Sequence, residues 1–162
     1  MPATTSIRRA IDSFRRIGWR RRALIAEAAA LLLVLRLALL LVPFPWLARR
    51  LGAFLAPADP RVAAACAATT AEAARLAREV GWAVTRGAAH APFEAVCLSQ
   101  AMAARIMLKR RGVASVMRFG AALAPGRPPG RPLVTHAWLD AAGVKVTGYP
   151  AARGFAEIGC FV

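Results

Sequence analysis

The chain has 162 residues, room for one domain of ordinary size plus an N-terminal extension. Its formal net charge of +15 invites an anionic partner, but only Lys109 and Lys145 are lysines, the arginines are not interleaved with aromatics and no DNA-binding motif occurs, so nucleic acid is set aside. Cys66, Cys97 and Cys160 are an odd count without a CxxC, and only His90 and His136 could join them, which argues against a structural zinc site and a disulfide scaffold and fits a reducing cytoplasm.

Residues 1–22 are basic and poorly periodic, with Arg8, Arg9, Arg15, Arg16, Arg20, Arg21 and Arg22 facing a single acid, Asp12. Residues 23–42 are almost continuously apolar. Their length suits a membrane-spanning helix, although Glu27 and Arg36 inside the run would be costly in hydrocarbon. A signal peptide fits less well, because the apolar core starts late and Pro43-Phe44-Pro45-Trp46 is no small-residue cleavage site. The favoured reading is a helix buried against protein or lying at a membrane surface, with Trp19 before it, Trp46 after it and a basic flank. Pro43 and Pro45 end the helix.

Residues 46–55 are expected to form a short amphipathic helix, and Pro57, Asp59 and Pro60 a break. One long amphipathic helix is expected over 61–86, with Ala64, Leu76, Val80 and Val84 at helical spacing and Cys66 as a packing residue. Gly87 to Pro92 reads as a loop, in which His90 is a solvated residue. A helix is expected from Cys97 to about Arg111, with Lys109, Arg110 and Arg111 at its C-terminal end and Gly112 as the stop. Strands follow over 114–122 and 133–140, separated by the Pro/Gly loop 124–132. Ala141-Ala142-Gly143 turns the chain into a return strand over 144–147, and 155–162 adds a last short strand. The organisation is a basic segment (1–22), a helical extension (23–55) and a catalytic-type domain (56–162). The fold class is α+β, with helices first and a small antiparallel sheet last.

Cys97 and His136 are the candidate chemistry. A cysteine opening a helix has backbone N–H groups and the positive end of the helix dipole at its sulfur, which favours the nucleophilic thiolate. A histidine on a later strand is the base such a thiolate needs, within about 3 Å. Taken singly, each residue is more commonly a packed one, and it is the pair that points to catalysis. A third group usually orients the imidazole. Asp140 is the nearest acid in sequence, but positions i and i+4 on a strand lie about 13 Å apart, at ~3.3 Å per residue. Counting back through the hairpin puts Thr147 or Gly148 opposite His136. Neither carries a carboxylate, so a Thr147 hydroxyl, a backbone carbonyl, or Glu94 or Glu157 delivered by folding remain alternatives to Asp140. No metal or cofactor is called for.

PFEAVCLSQAMAARIMLKRRGV (Pro92 to Val113) followed by HAWLDAAGVKVTG (His136 to Gly148) resembles the transglutaminase-like cysteine proteases of lasso-peptide biosynthesis. The likeness is strongest over 92–148 and extends more weakly to the apolar helix and Pro-Phe break at 31–44. The resemblance implies a papain/transglutaminase-like fold and removal of the leader from a ribosomally made precursor peptide. Cys97 would attack the scissile carbonyl to form an acyl-enzyme, His136 would move the proton, and the Cys97 N–H would join an oxyanion hole. It also implies a separate small leader-recognition protein and an ATP-using macrolactam cyclase as partners. A membrane surface joins these from the reading of 23–42, with the protein in the cytoplasm or on the inner membrane face. Where the family often has an acid twelve residues after the histidine, this chain has Gly148. The missing acid opens a second reading: a weak or inactive scaffold of the same fold that holds a recognition partner, cyclase or membrane. Two more readings are a true transglutaminase or amidase, and a small basic membrane-binding protein.

Overall fold

The computed structural model describes residues 18–67, 70–123 and 133–162. Most of the basic segment, residues 1–17, and the whole Pro/Gly loop 124–132 lie outside the described residues. The fold is α+β. Helix α1 (Trp19–Leu41) leads to a short α2 (Phe44–Ala48), a two-residue strand β1 (Phe54–Leu55), and helices α3 (Pro60–Ala67), α4 (Ala71–Ala89) and α5 (Cys97–Lys109). Strands β2 (Val116–Ala122), β3 (Val134–Ala141) and β4 (Val144–Thr147), a 3-10 turn (Ala151–Gly154) and β5 (Ala156–Phe161) complete the chain. The strands form one antiparallel sheet in the order β1-β5-β2-β3-β4.

Two elements differ from expectation for local reasons. The helix expected over 46–55 is only α2, because Pro45 starts it in the first turn and Gly52, at φ +106°, turns the chain away. Phe54 and Leu55 then pair with Phe161 and Cys160 as an edge strand. The single helix expected over 61–86 is two helices. The Thr70 hydroxyl accepts from the Ala73 N–H at 3.0 Å and so caps a fresh N-terminus, a role Thr fills well and Ala cannot. That helix also runs on to Ala89, past the expected loop start at Gly87.

Helix α5 ends as its sequence dictates. Gly112 takes φ +69°, its N–H donates to the Lys109 carbonyl at 3.1 Å, and the Val113 N–H donates to the Leu108 carbonyl at 3.0 Å, the paired bonds of a Schellman motif. The β3–β4 hairpin turns through Ala142 and Gly143, both at positive φ, as a two-residue primed turn requires.

The sheet has two dissimilar faces. Met117, Ala137, Leu139, Ala141, Val146 and Phe161 point into the main core, where they meet Ala101, Ala104, Met107 and Leu108 of α5 and Val80 and Val84 of α4. Helix α1 joins the same core through Ala28, Leu32 and Leu35, spaced one turn apart. Its Glu27 binds Arg111 at 2.6 Å and Arg110 at 3.2 Å, at the C-terminal end of α5. Hydrogen bonding to Arg111, outweighing burial, lowers the Glu27 carboxyl below its ordinary pKa. By alternation, His136, Trp138 and Asp140 lie on the other face of β3. There Val116 and Cys160 form a smaller core with Leu55 and with Val62 of α3.

Candidate active site

Cys97 is the first residue of α5, with Val96 as the N-cap and no acidic residue in the first turn. Its own N–H and those of the next residues therefore have no intrahelical acceptor and remain available to an anion. The helix start is fixed from both sides. The Ser99 hydroxyl donates to the Val96 carbonyl at 2.8 Å, and the Gln100 amide donates to the Ala95 carbonyl at 2.7 Å. The thiol is half-buried and packs against the main core. All three cysteines are free thiols.

His136 is held by the chain segment that follows β4. Its Nε2 lies 2.8 Å from the Gly148 carbonyl oxygen. A carbonyl can only accept, so Nε2 carries a proton, and in the neutral ring the lone pair is on Nδ1. The ring stacks on Phe155 (centroids 5.0 Å apart, planes at 28°) and near Trp138 (6.0 Å, 20°). Two aromatic neighbours and one hydrogen bond thus fix both the plane and the tautomer of the imidazole. Gly120 faces His136 across the β2–β3 ladder, and a Cβ there would come within 2.8 Å of both the indole and Phe155. That glycine makes the space in which the aromatic cluster sits.

Gly148 explains the missing acid. Its φ is +85°, and a Cβ would lie 2.6 Å from Trp138 Cβ and 2.8 Å from the Ala137 carbonyl. No side chain fits, but the same backbone turn aims the carbonyl at His136. Of the orienting groups open to the sequence, the backbone carbonyl is the one that contacts the ring. The Thr147 hydroxyl is buried and makes no hydrogen bond among the described residues.

Asp140 is placed elsewhere. Its carboxylate accepts from Arg118 Nε at 2.8 Å and from the Tyr149 hydroxyl at 2.7 Å. Arg118 also binds Glu157 at 2.7 Å. Trp138 separates Asp140 from His136 along the strand, as the i+4 spacing requires. Asp140 still bears on the site at one remove, since Tyr149 directly follows the residue whose carbonyl holds the imidazole. Burial, and then the bond to Asp140, raise the Tyr149 phenol well above its ordinary pKa, so it stays a donor. The Arg118–Asp140–Tyr149 chain was not visible in the sequence; the only signal was Arg118 on β2, the strand beside Asp140.

Among the described residues no hydrogen bond joins Cys97 to His136, and Nδ1 has no partner. Ala137, Leu139 and Ala141 face α5 and Cys97 packs into the same core, whereas His136 points to the other face of β3, so the described structure places the two residues on neighbouring elements without bringing the imidazole onto the thiol. His90, at the end of α4, bonds the Arg86 carbonyl at 2.9 Å. Glu94 is exposed and Glu157 is tied to Arg118.

The cysteine thus stands at a helix start, and the strand histidine has one ring nitrogen anchored to the hairpin beyond it. A sequence profile of the transglutaminase-like superfamily matches residues 38–159. The chain belongs to the transglutaminase-like superfamily. Members of this superfamily are often cysteine hydrolases. No curated protein and no solved structure matched the chain. In this transglutaminase-like protein the matched span covers α2 to α5 and the sheet as far as Gly159 of β5, and takes in only the last turn of α1.

Proposed function

We propose that the protein is a cysteine peptidase that removes the leader from a lasso-type precursor peptide. In the reaction, His136 Nδ1 takes the thiol proton and Cys97 Sγ attacks the scissile carbonyl carbon. The resulting oxyanion is received by the open N–H groups at the start of α5. Collapse breaks the C–N bond, His136 hands its proton to the leaving amine, and an S-acyl enzyme remains. Water, deprotonated by His136, then frees the second product and restores the thiol. The protein would act in the cytoplasm on a precursor presented by a separate small recognition protein, and an ATP-using cyclase would close the ring afterwards.

The observation that carries this reading is the Nε2–Gly148 bond. It leaves Nδ1 open as a base in a transglutaminase-like chain that keeps a cysteine at the helix start. The lasso precursor as substrate rests on the resemblance of 92–113 and 136–148 to those leader peptidases. The test is mass spectrometry of a lasso precursor incubated with the protein and a recognition partner, for wild type and Cys97→Ala. Cleavage by wild type alone supports the peptidase. Its absence, with a precursor that another leader peptidase does process, removes that function.

A scaffold of the same fold is the second reading, favoured by the lack of a Cys97–His136 hydrogen bond among the described residues. A scaffold would leave Cys97 inert toward alkylation near neutral pH, whereas a peptidase would not.

A further inference from the structure

Helix α1 is apolar on both sides, and only one side is used. The stripe Ala28, Leu32 and Leu35 is buried in the core. On the opposite side Ala23, Ala26, Ala30, Leu33, Leu37 and Leu40 follow one another at three- and four-residue steps, with no charge among them. Leu37 is 49% exposed, Leu40 64% and Leu41 79%. Isolated exposed leucines are ordinary, but an uncharged face five turns long marks an interaction surface.

Both ends of this face carry the same chemistry. Trp19 is 77% exposed, beside the exposed Arg20, while the Arg21 guanidinium lies 5.3 Å from the Trp82 ring centroid. At the other end Trp46 is 66% exposed, and the Arg49 guanidinium lies 5.7 Å from its ring centroid, with Arg50 next to it. Tryptophan settles at the boundary between hydrocarbon and headgroups, and arginine reaches from there to phosphate. The apolar face also runs into a groove of about 340 Å³ where Ile25 and Leu33 meet Phe93, four residues before Cys97.

We propose that the outer face of α1, with Trp19, Trp46, Arg49 and Arg50, docks the protein on the surface of an anionic lipid bilayer. The helix lies in the interface and does not cross it. Crossing would pull Leu32 and Leu35 out of the core and strip Glu27 of Arg110 and Arg111. Lipid under the outer face leaves those contacts in place. A second copy would also cover leucines, but it would bring two sets of arginines together, whereas anionic headgroups match them. This inference does not depend on the peptidase reading.

The test is flotation of the full-length protein with phosphatidylcholine vesicles, with and without phosphatidylglycerol. Wild type is expected to float with the anionic vesicles, and at least about tenfold less well on neutral ones or in raised salt. Leu37→Glu/Leu40→Glu is expected to abolish flotation while keeping the wild-type circular dichroism spectrum. Arg49→Ala/Arg50→Ala is expected to weaken it by about tenfold. Failure of wild type to float would overturn the proposal, as would flotation unchanged in the Leu37→Glu/Leu40→Glu variant. So would a lipid-free dimer that this variant dissociates, or wild type that resists alkaline carbonate extraction, the mark of a spanning helix.

Discussion

Cys97 and His136 reach their places by opposite routes. Cys97 is set by its neighbours in sequence: Val96 caps the helix, Ser99 and Gln100 tie down its first turn, and Gly112 stops it one helix later. His136 is set by residues far along the chain: the Gly148 carbonyl, the Phe155 ring and, behind Gly148, the Tyr149–Asp140–Arg118 chain. In the proposed peptidase, the Cys97 position thus tolerates change in the sheet, while the His136 position depends on the exact path of the segment 148–155. On that proposal, activity should fail through the histidine side more readily than through the helix.

The largest effect separates chemistry from architecture. Cys97→Ala should lower peptide cleavage by at least about a thousandfold while leaving the thermal midpoint nearly unchanged, since the residue is half-buried and small. Product formation by mass spectrometry and a melting curve check both halves. Gly148→Ala comes next and strikes the distant support alone. A methyl group 2.6 Å from Trp138 Cβ, at φ +85°, must shift the carbonyl that holds His136. A displacement of that kind should cost about a hundredfold in kcat, with a fall in stability. Gly148→Asp should do no better, although it restores the acid expected at that position. A rise in rate with Gly148→Asp would break the comparison.

Tyr149→Phe removes one hydrogen bond from the outer support and keeps the ring. A loss of about fivefold to tenfold in kcat is expected, with KM unchanged and the pH–rate profile displaced, because the defect acts on how His136 is held. A purely structural tyrosine would lower stability without moving that profile. The smallest effect concerns α1. The lowered Glu27 pKa means its pairing with Arg111 and Arg110 stabilises the fold above the ordinary glutamate range, about 4.3, and is lost as pH falls through the lower folded value. Thermal stability should therefore drop in that acid window by more in wild type than in Glu27→Gln, as differential scanning calorimetry would record.

The same contrast decided what could be read in advance. Helix α5, its glycine stop and the β2 to β5 strands were legible because each is written in local pattern: apolar spacing, Gly112, and the Ala-Gly turn of the hairpin. Strand β1 was not, since two residues carry no period and Phe54 and Leu55 are strand only because Phe161 and Cys160 lie beside them. The break at Thr70 was legible in principle, as a threonine before Ala71-Glu72, but the run of alanines on both sides masked it. At the site, Cys97 and His136 stood out by type and position. Asp140 lies where the i+4 spacing put it, on the same face of β3 as His136 with Trp138 between them, and its partners Arg118 and Tyr149 come from elsewhere in the fold. The group that does contact the ring is a carbonyl, which every residue has, so only the glycine and the hairpin count hinted at it.

The most direct test of the thiol pair is the rate of iodoacetamide labelling at Cys97, resolved from Cys66 and Cys160 by peptide mass spectrometry, in wild type and His136→Ala near neutral pH. Cys97 should label at least about tenfold faster than Cys66, and His136→Ala should remove that advantage. Labelling of Cys97 no faster than Cys66, and unchanged by His136→Ala, would contradict a working Cys97–His136 pair.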